Sequence, residues 1–203
     1  MIFGPKTIAE FKSVYSGQLL VRQDFTNRYV TTGGLTQSGG LVKDIWQSVL
    51  KKLSQDYELR TKNWLILGLA TGTVAKLLPH PAGIVGVEID PVMLNIGRQF
   101  FNLDHITNLE IVNQDAQKYL SRSKQHFDYL LIDLYLGDQL PGFVYTPSFL
   151  NQVKKHGSVA IFNHLFYDQA KKARAAKLVK VLSSIFPHIQ LHHVLTNLMI
   201  ICG

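Results

Sequence analysis

Four short apolar runs, each closed by a polar residue, constrain this chain more than anything else in it. They are Trp64 to Thr73 (WLILGLATGT), Gly83 to Asp90 (GIVGVEID), Leu109 to Ala116 (LEIVNQDA) and Phe127 to Asp133 (FDYLLID). Each is rich in Leu, Ile and Val, the composition of a parallel strand covered on both faces. In an open sheet of such strands, ligands sit beyond the carboxyl ends. The pattern therefore predicts a glycine turn, Glu88, Asp115 and Asp133 around one crevice.

The chain has 203 residues, enough for one well-buried core and a small appendage. Its apolar stretches fall far short of the roughly 18 residues of a membrane span. The start, Met1 to Phe11, shows no basic segment followed by an apolar one, so no secretory leader is expected. The single cysteine, Cys202, excludes an internal disulfide and fits a reducing compartment, which makes the cytoplasm the expected location. The net charge of +7 raises the question of nucleic acid. The basic residues are scattered, however, and the densest group, Lys171 to Lys177 (KKARAAK), reads as a solvated helix face. Nucleic acid is not an expected partner, and a nucleic-acid-binding chain would have to show strongly salt-dependent binding.

Residues 1–40 differ from the rest. Ser16 to Gln23 and Arg28 to Thr32 are candidate strands joined by Asp24-Phe25-Thr26-Asn27, a hairpin turn composition. Gly33-Gly34 and Gly39-Gly40 then flank a segment read as a flexible or tightly turned crossing. From Leu41 the period changes. Val42, Ile45, Trp46, Val49 and Leu53 mark an amphipathic helix, and strands and helices alternate after it over 41–203. Helices are expected at Thr73 to Leu78, Pro91 to Phe101, Ala116 to Ser121 and Pro147 to Lys155. A last helix, capped by Asp168, should bury Leu178, Leu182 and Ile185 and stop at Pro187. Ile189 to Leu195 and Leu198 to Cys202 are separated by Thr196-Asn197 alone. Two residues close a hairpin and not a parallel crossover, so this final pair is antiparallel. The fold class is α/β: a doubly wound, mostly parallel seven-stranded sheet with an antiparallel C-terminal hairpin, plus a small N-terminal β-hairpin.

Around the crevice, Gly68 and Gly72 let the backbone turn sharply and approach a ligand, as glycines also do in turns that bind nothing. No Lys-Ser/Thr pair of a Walker loop follows. Glu88, about 15 to 20 residues on, can accept from both hydroxyls of a ribose. Asp115 can accept from an adenine amino group beside the Ala116 N–H, or cap the following helix, or both. Asp133 closes the most apolar run and is placed to act as a base. The loop after it carries Tyr135, Asp138 and Tyr145 and is long enough for a lid. The histidines show no metal spacing, so no metal is expected. His164 reads as a structural histidine rather than one facing the crevice.

Gly68 to Gly72, Val87-Glu88-Ile89-Asp90, Asp115-Ala116 and Phe127 through Asp133 together resemble the class I S-adenosylmethionine-dependent methyltransferase fold, a Rossmann-like architecture. More narrowly, with Gly34-Leu35-Thr36-Gln37-Ser38 included, they resemble spermidine synthase and its relatives. The resemblance implies that Gly68, Ala70 and Gly72 line the sulfonium side chain of the donor. It places Glu88 and Ile89 at the ribose, Asp115 and Ala116 at the adenine, and Gln37 near the donor's tail. Asp133 matches the family's catalytic aspartate, with Tyr135, Asp138 and Tyr145 on the substrate loop. A homodimer and a small-molecule acceptor, amines included, are further implications.

The sequence departs from the polyamine-making members at two places. Their Asp-x-x-Asp after the fourth strand has Leu136 at its second position here, and Gly39-Gly40 stands where they carry Asp-Glu. The first carboxylate of that pair holds the ammonium of decarboxylated S-adenosylmethionine and repels the ordinary donor's carboxylate, so its loss removes a discriminating charge. The sequence therefore leans to methyl transfer from S-adenosylmethionine. Aminopropyl transfer from the decarboxylated donor to a diamine or polyamine is the alternative, and a non-catalytic nucleoside-binding module a third.

Overall fold

The computed structural model describes residues 4–56, 59, 62–79 and 83–203. The extreme start of the chain, part of the segment read above as lacking a leader, lies outside them. The chain opens with four strands, β1 (Lys6–Ser13), β2 (Gly17–Gln23), β3 (Arg28–Thr32) and β4 (Leu35–Gly39), paired in sequence order as one antiparallel sheet. The two expected strands are β2 and β3. The glycine segment read as a crossing is itself a strand, because Gly33 and Gly34 take φ of +54° and +82° and close a two-residue hairpin between paired Thr32 and Leu35. That positive-φ pair is the turn whose twist matches an antiparallel ladder. β1 escaped notice because it is an edge strand with every second residue only half-buried.

The remainder alternates: α1 (Gly40–Asp56), β5 (Asn63–Leu67), β6 (Gly83–Glu88), α2 (Pro91–Phe101), β7 (Leu109–Asn113), α3 (Ala116–Arg122), β8 (Phe127–Ile132), α4 (Pro147–His156), β9 (Gly157–Leu165), α5 (Gln169–Leu182), β10 (Ile189–Val194) and β11 (Asn197–Cys202). The seven strands run in the order β10-β11-β9-β8-β5-β6-β7, with β9 to β7 parallel and β11 antiparallel to both neighbours. Alternate residues of the central strands feed opposite cores. Leu65, Leu67, Leu130 and Ile132 pack toward α3, α4 and α5, whereas Ile66, Leu131 and Ile161 pack with Ile45, Trp46, Val49 and Leu53 of α1. This two-sided burial is why the strands read as unbroken apolar runs. A third cluster joins Leu19, Val21 and Val30 of the N-terminal sheet to Met93, Ile96 and Phe101 of α2.

Four expectations change. The helix after the glycine turn is only a 3-10 turn, Ala75–Leu77, since Pro79 forces Leu78 into an extended conformation six residues past Gly72. The last helix ends at Leu182, before Pro187, where the Ser183 and Ser184 hydroxyls donate back to the Val179 and Val181 carbonyls, and Ile185 is half-buried beyond it. The final hairpin turns on Leu195 and Thr196, with Leu195 at φ +52°. The KKARAAK helix is not wholly solvated: Lys171 is 6% exposed and its ammonium pairs with Asp138. Among the described residues, no helix is long and apolar enough to cross a membrane.

Candidate active site

The strand order reverses between β5 and β8, the place where an open α/β sheet leaves a crevice beyond its carboxyl ends. A cavity of about 350 Å³ lies there, within the range of small-molecule sites. Of the residues predicted from sequence, Gln37, Gly68, Ala70, Glu88, Ile89, Asp115, Ala116, Asp133 and Tyr135 line it; Gly72, Asp138 and Tyr145 do not.

The turn after β5 is held on both sides. The amides of Gly68 and Leu69 donate to the Val87 carbonyl at 2.9 and 3.0 Å, and the Asp133 amide donates to the Leu67 carbonyl at 2.9 Å. Gly68 takes φ +92°, and a Cβ there would stand 2.2 Å from the Asp133 carbonyl oxygen. The close approach of the two strand ends therefore requires glycine. Gly72 likewise takes a left-handed φ, +83°, and a Cβ there would meet the side-chain ends of Leu103 and Ile106, away from the cavity. Ser38 bridges Thr71 and Thr73, hydroxyl to hydroxyl at 2.7 Å each, and so ties β4 to this turn. That link carries Gln37 over the cavity, where its Nε2 donates to the Gly137 carbonyl at 3.2 Å.

Glu88 is buried, and its carboxylate is fixed by the amides of Ala70 (2.8 Å) and Asp90 (2.9 Å). Burial pushes its pKa up, and these amides partly offset the effect. Ala70 holds a left-handed φ of +49°, strained for a residue with a Cβ, in order to aim that amide. Asp115 caps α3 by accepting from the Lys118 amide at 2.9 Å and also lines the cavity.

Asp133, immediately beyond β8, has both carboxylate oxygens engaged. Its Oδ2 accepts from the Trp46 indole N–H and its Oδ1 from the Asn163 amide, each at 2.8 Å. Asn163 in turn accepts from Asn197 at 2.7 Å, whose own Oδ1 accepts from the Thr196 hydroxyl at 2.8 Å. Burial raises the Asp133 pKa to about 6, against the pull of its two neutral donors. From the sequence, Trp46 reads only as a helix residue and Thr196-Asn197 only as a turn, and Asn163 is not singled out. Asparagine at the end of an apolar strand was the available signal.

The other loop residues are engaged elsewhere. Tyr135 donates to the Asn163 carbonyl and accepts from the Leu165 amide, both at 2.9 Å, and burial raises its phenol well above the usual value. Asp138 pairs with Lys171, which holds its carboxyl below the ordinary range. Tyr145 donates to His164 Nε2 at 2.9 Å while His164 Nδ1 donates to the Leu165 carbonyl at 2.6 Å. Burial lowers the His164 pKa. Among the described residues, no three of His, Cys, Asp and Glu gather to hold a metal.

Comparison with known proteins agrees with this architecture. The family model "Spermine/spermidine synthase domain" matches residues 43–194. The chain is similar to a probable polyamine aminopropyl transferase of Bifidobacterium longum, 26% identical over 128 residues, covering 60% of this chain and 28% of that protein. It is also similar to an N-terminal histidine N-methyltransferase of Emericella nidulans, 28% identical over 139 residues, covering 64% of this chain and 24% of that one. The chain thus spans only about a quarter of the length of these two relatives. A probable spermidine synthase from Corynebacterium glutamicum shares the fold, with a TM-score of 0.78 at 14% identity over 96% of this chain and 79% of that one. The chain belongs to the spermine/spermidine synthase domain family.

Proposed function

We propose that this chain binds an S-adenosyl sulfonium donor and transfers an alkyl group from it to a nucleophile presented at Asp133, with methyl transfer from S-adenosylmethionine as the first reading. One observation carries the proposal. Gly68 brings the turn after β5 against Asp133, so a buried carboxylate with a pKa of about 6 opens onto the same cavity as Glu88 and Asp115.

The residues present fit such a donor. Glu88, held by two amides, keeps lone pairs for ribose hydroxyls. Asp115 and the Ala116 amide suit an adenine edge, Ile89 an apolar ring face, and the glycine turn lets backbone approach the sulfur side chain. When bound, the sulfonium supplies an electrophilic carbon whose sulfur departs as a neutral thioether. Asp133 does the rest: it holds the acceptor's N–H or O–H and takes the proton on a carboxylate oxygen. Trp46 and Asn163 fix that carboxylate, so the reaction rests largely on positioning. We include in this proposal that residues 1–40 form an appendage closing over the unit 41–203.

Methyl transfer is favoured because, among the described residues, the acids that line the cavity are Glu88, Asp115 and Asp133. At Gly39, moreover, a Cβ would stand 2.3 Å from the Arg28 carbonyl oxygen, which excludes a carboxylate side chain there. Aminopropyl transfer is the second reading, supported by the family membership and the B. longum relative. Calorimetry with S-adenosylmethionine, its decarboxylated form and methylthioadenosine tests both. Tighter binding of the ordinary donor is expected, preference for the decarboxylated one reverses the order of the readings, and binding of none defeats the proposal.

A further inference from the structure

The cavity divides along the sheet. Glu88 and Asp115 follow β6 and β7 on one side of the switch point, and Asp133 follows β8. Beyond Asp133, the walls come from α1, the ends of β8 and β9, and the β10–β11 turn. This second half is apolar and aromatic: Val42 and Ile45 on α1, Leu134 and Tyr135 after β8, Leu165 and Tyr167 at the end of β9. Its polar groups are mostly spent on one another. Tyr135 uses its hydroxyl on the β9 backbone, and Asn163 and Asn197 form the chain that ends at Asp133.

Among the described residues, Asp133 is the only carboxylate that lines this half. Asp138, the next acid along the loop, does not line the cavity and is neutralised by buried Lys171. Asp168 caps α5 through the Lys171 amide at 2.7 Å, and Asp44 is exposed on α1 and does not line the cavity. A second ammonium on an acceptor would meet these apolar and aromatic walls with no further carboxylate among the lining residues to receive it.

We infer that the acceptor is a nucleophile with at most one positive charge, carried on an apolar or aromatic body, and that diamines and polyamines are excluded. The inference rests on the donor reading above and narrows its substrate class.

The test compares amines differing by one charge. The protein is saturated with methylthioadenosine or S-adenosylhomocysteine, whichever it binds, and titrated calorimetrically with butylamine, 2-phenylethylamine and 1,4-diaminobutane. The monoamines should bind at least about tenfold more tightly than the diamine, because only the diamine buries an unpaired charge. Leu136→Asp, at a half-exposed position on the cavity lip, should then raise diamine affinity about tenfold by supplying a second carboxylate. Diamine binding equal to or tighter than the monoamines overturns the inference and leaves the donor reading standing. So does binding of none of the amines to the nucleoside-loaded protein, or a preference unmoved by Leu136→Asp. Failure to bind either nucleoside overturns the donor reading, and this inference with it.

Discussion

The Trp46 indole donates its N–H to Asp133 Oδ2 across 2.8 Å, linking the first long helix to the carboxyl end of β8 over 87 residues of sequence. The bond uses one oxygen of a buried carboxylate, and Asn163 uses the other. Trp46→Phe removes that donor while keeping an aromatic ring. We expect a stability loss of about 1–3 kcal/mol in denaturant unfolding, the usual result of orphaning a buried acceptor. The Asp133 pKa should also climb further above about 6, moving the acid limb of the activity profile to higher pH.

Asp133→Asn separates chemistry from binding. Turnover should fall by about 10²–10⁴-fold, the span of a lost general base, with nucleoside affinity unchanged by calorimetry.

The same substitution changes the pH dependence of folding. In the folded protein Asp133 titrates near 6, above its ordinary 3.8. The fold therefore keeps a proton that the unfolded chain has released. The stability this contributes is complete below about pH 4 and is lost as pH rises through about 6. Asp133→Asn should flatten that decline in urea titrations between pH 4 and 7. At pH 7 it should stabilise by on the order of 1 kcal/mol: removing the desolvated charge stabilises, and the amide N–H₂ facing one of the two donors offsets part of that gain.

Gly68→Ala tests the contact that joins the glycine turn to Asp133. The new Cβ would stand 2.2 Å from a backbone oxygen at a φ of +92°. A loss of more than about 2 kcal/mol, and a melting point lower by about 5 °C or more, is expected. Gly137→Ala is the control: φ is +63° there but the added Cβ meets nothing within 4 Å, so its cost should stay near 1 kcal/mol.

Glu88→Gln places an N–H₂ group where two backbone amides already donate. Nucleoside affinity should drop about 10–100-fold, the worth of one or two charge-assisted hydrogen bonds, whereas binding of free adenine should change little.

Much of this was legible from residue order. Apolar runs of strand length, separated by helical periods, specify a sheet buried on both faces, and a two-residue gap makes the last pair antiparallel. The polar residues closing those runs arrive at one edge because parallel strands all point the same way. That reasoning brought Gly68, Glu88, Asp115 and Asp133 together, and the structure lines one cavity with them. Loop residues were less legible. Asp138 looked like a substrate carboxylate, yet Lys171, a residue of the helix read as solvated, turns inward and takes it. Only the packed structure decided which neutral donors surround Asp133. Trp46, Asn163 and Asn197 sit on three elements far apart in sequence, and side-chain hydrogen bonds between such elements follow no local period. Sequence alone determined the sheet and the acids at its edge. Tertiary packing determined the surroundings of Asp133, because burial and partner choice are set by the three-dimensional arrangement, and these raise its pKa and leave the far half of the cavity apolar.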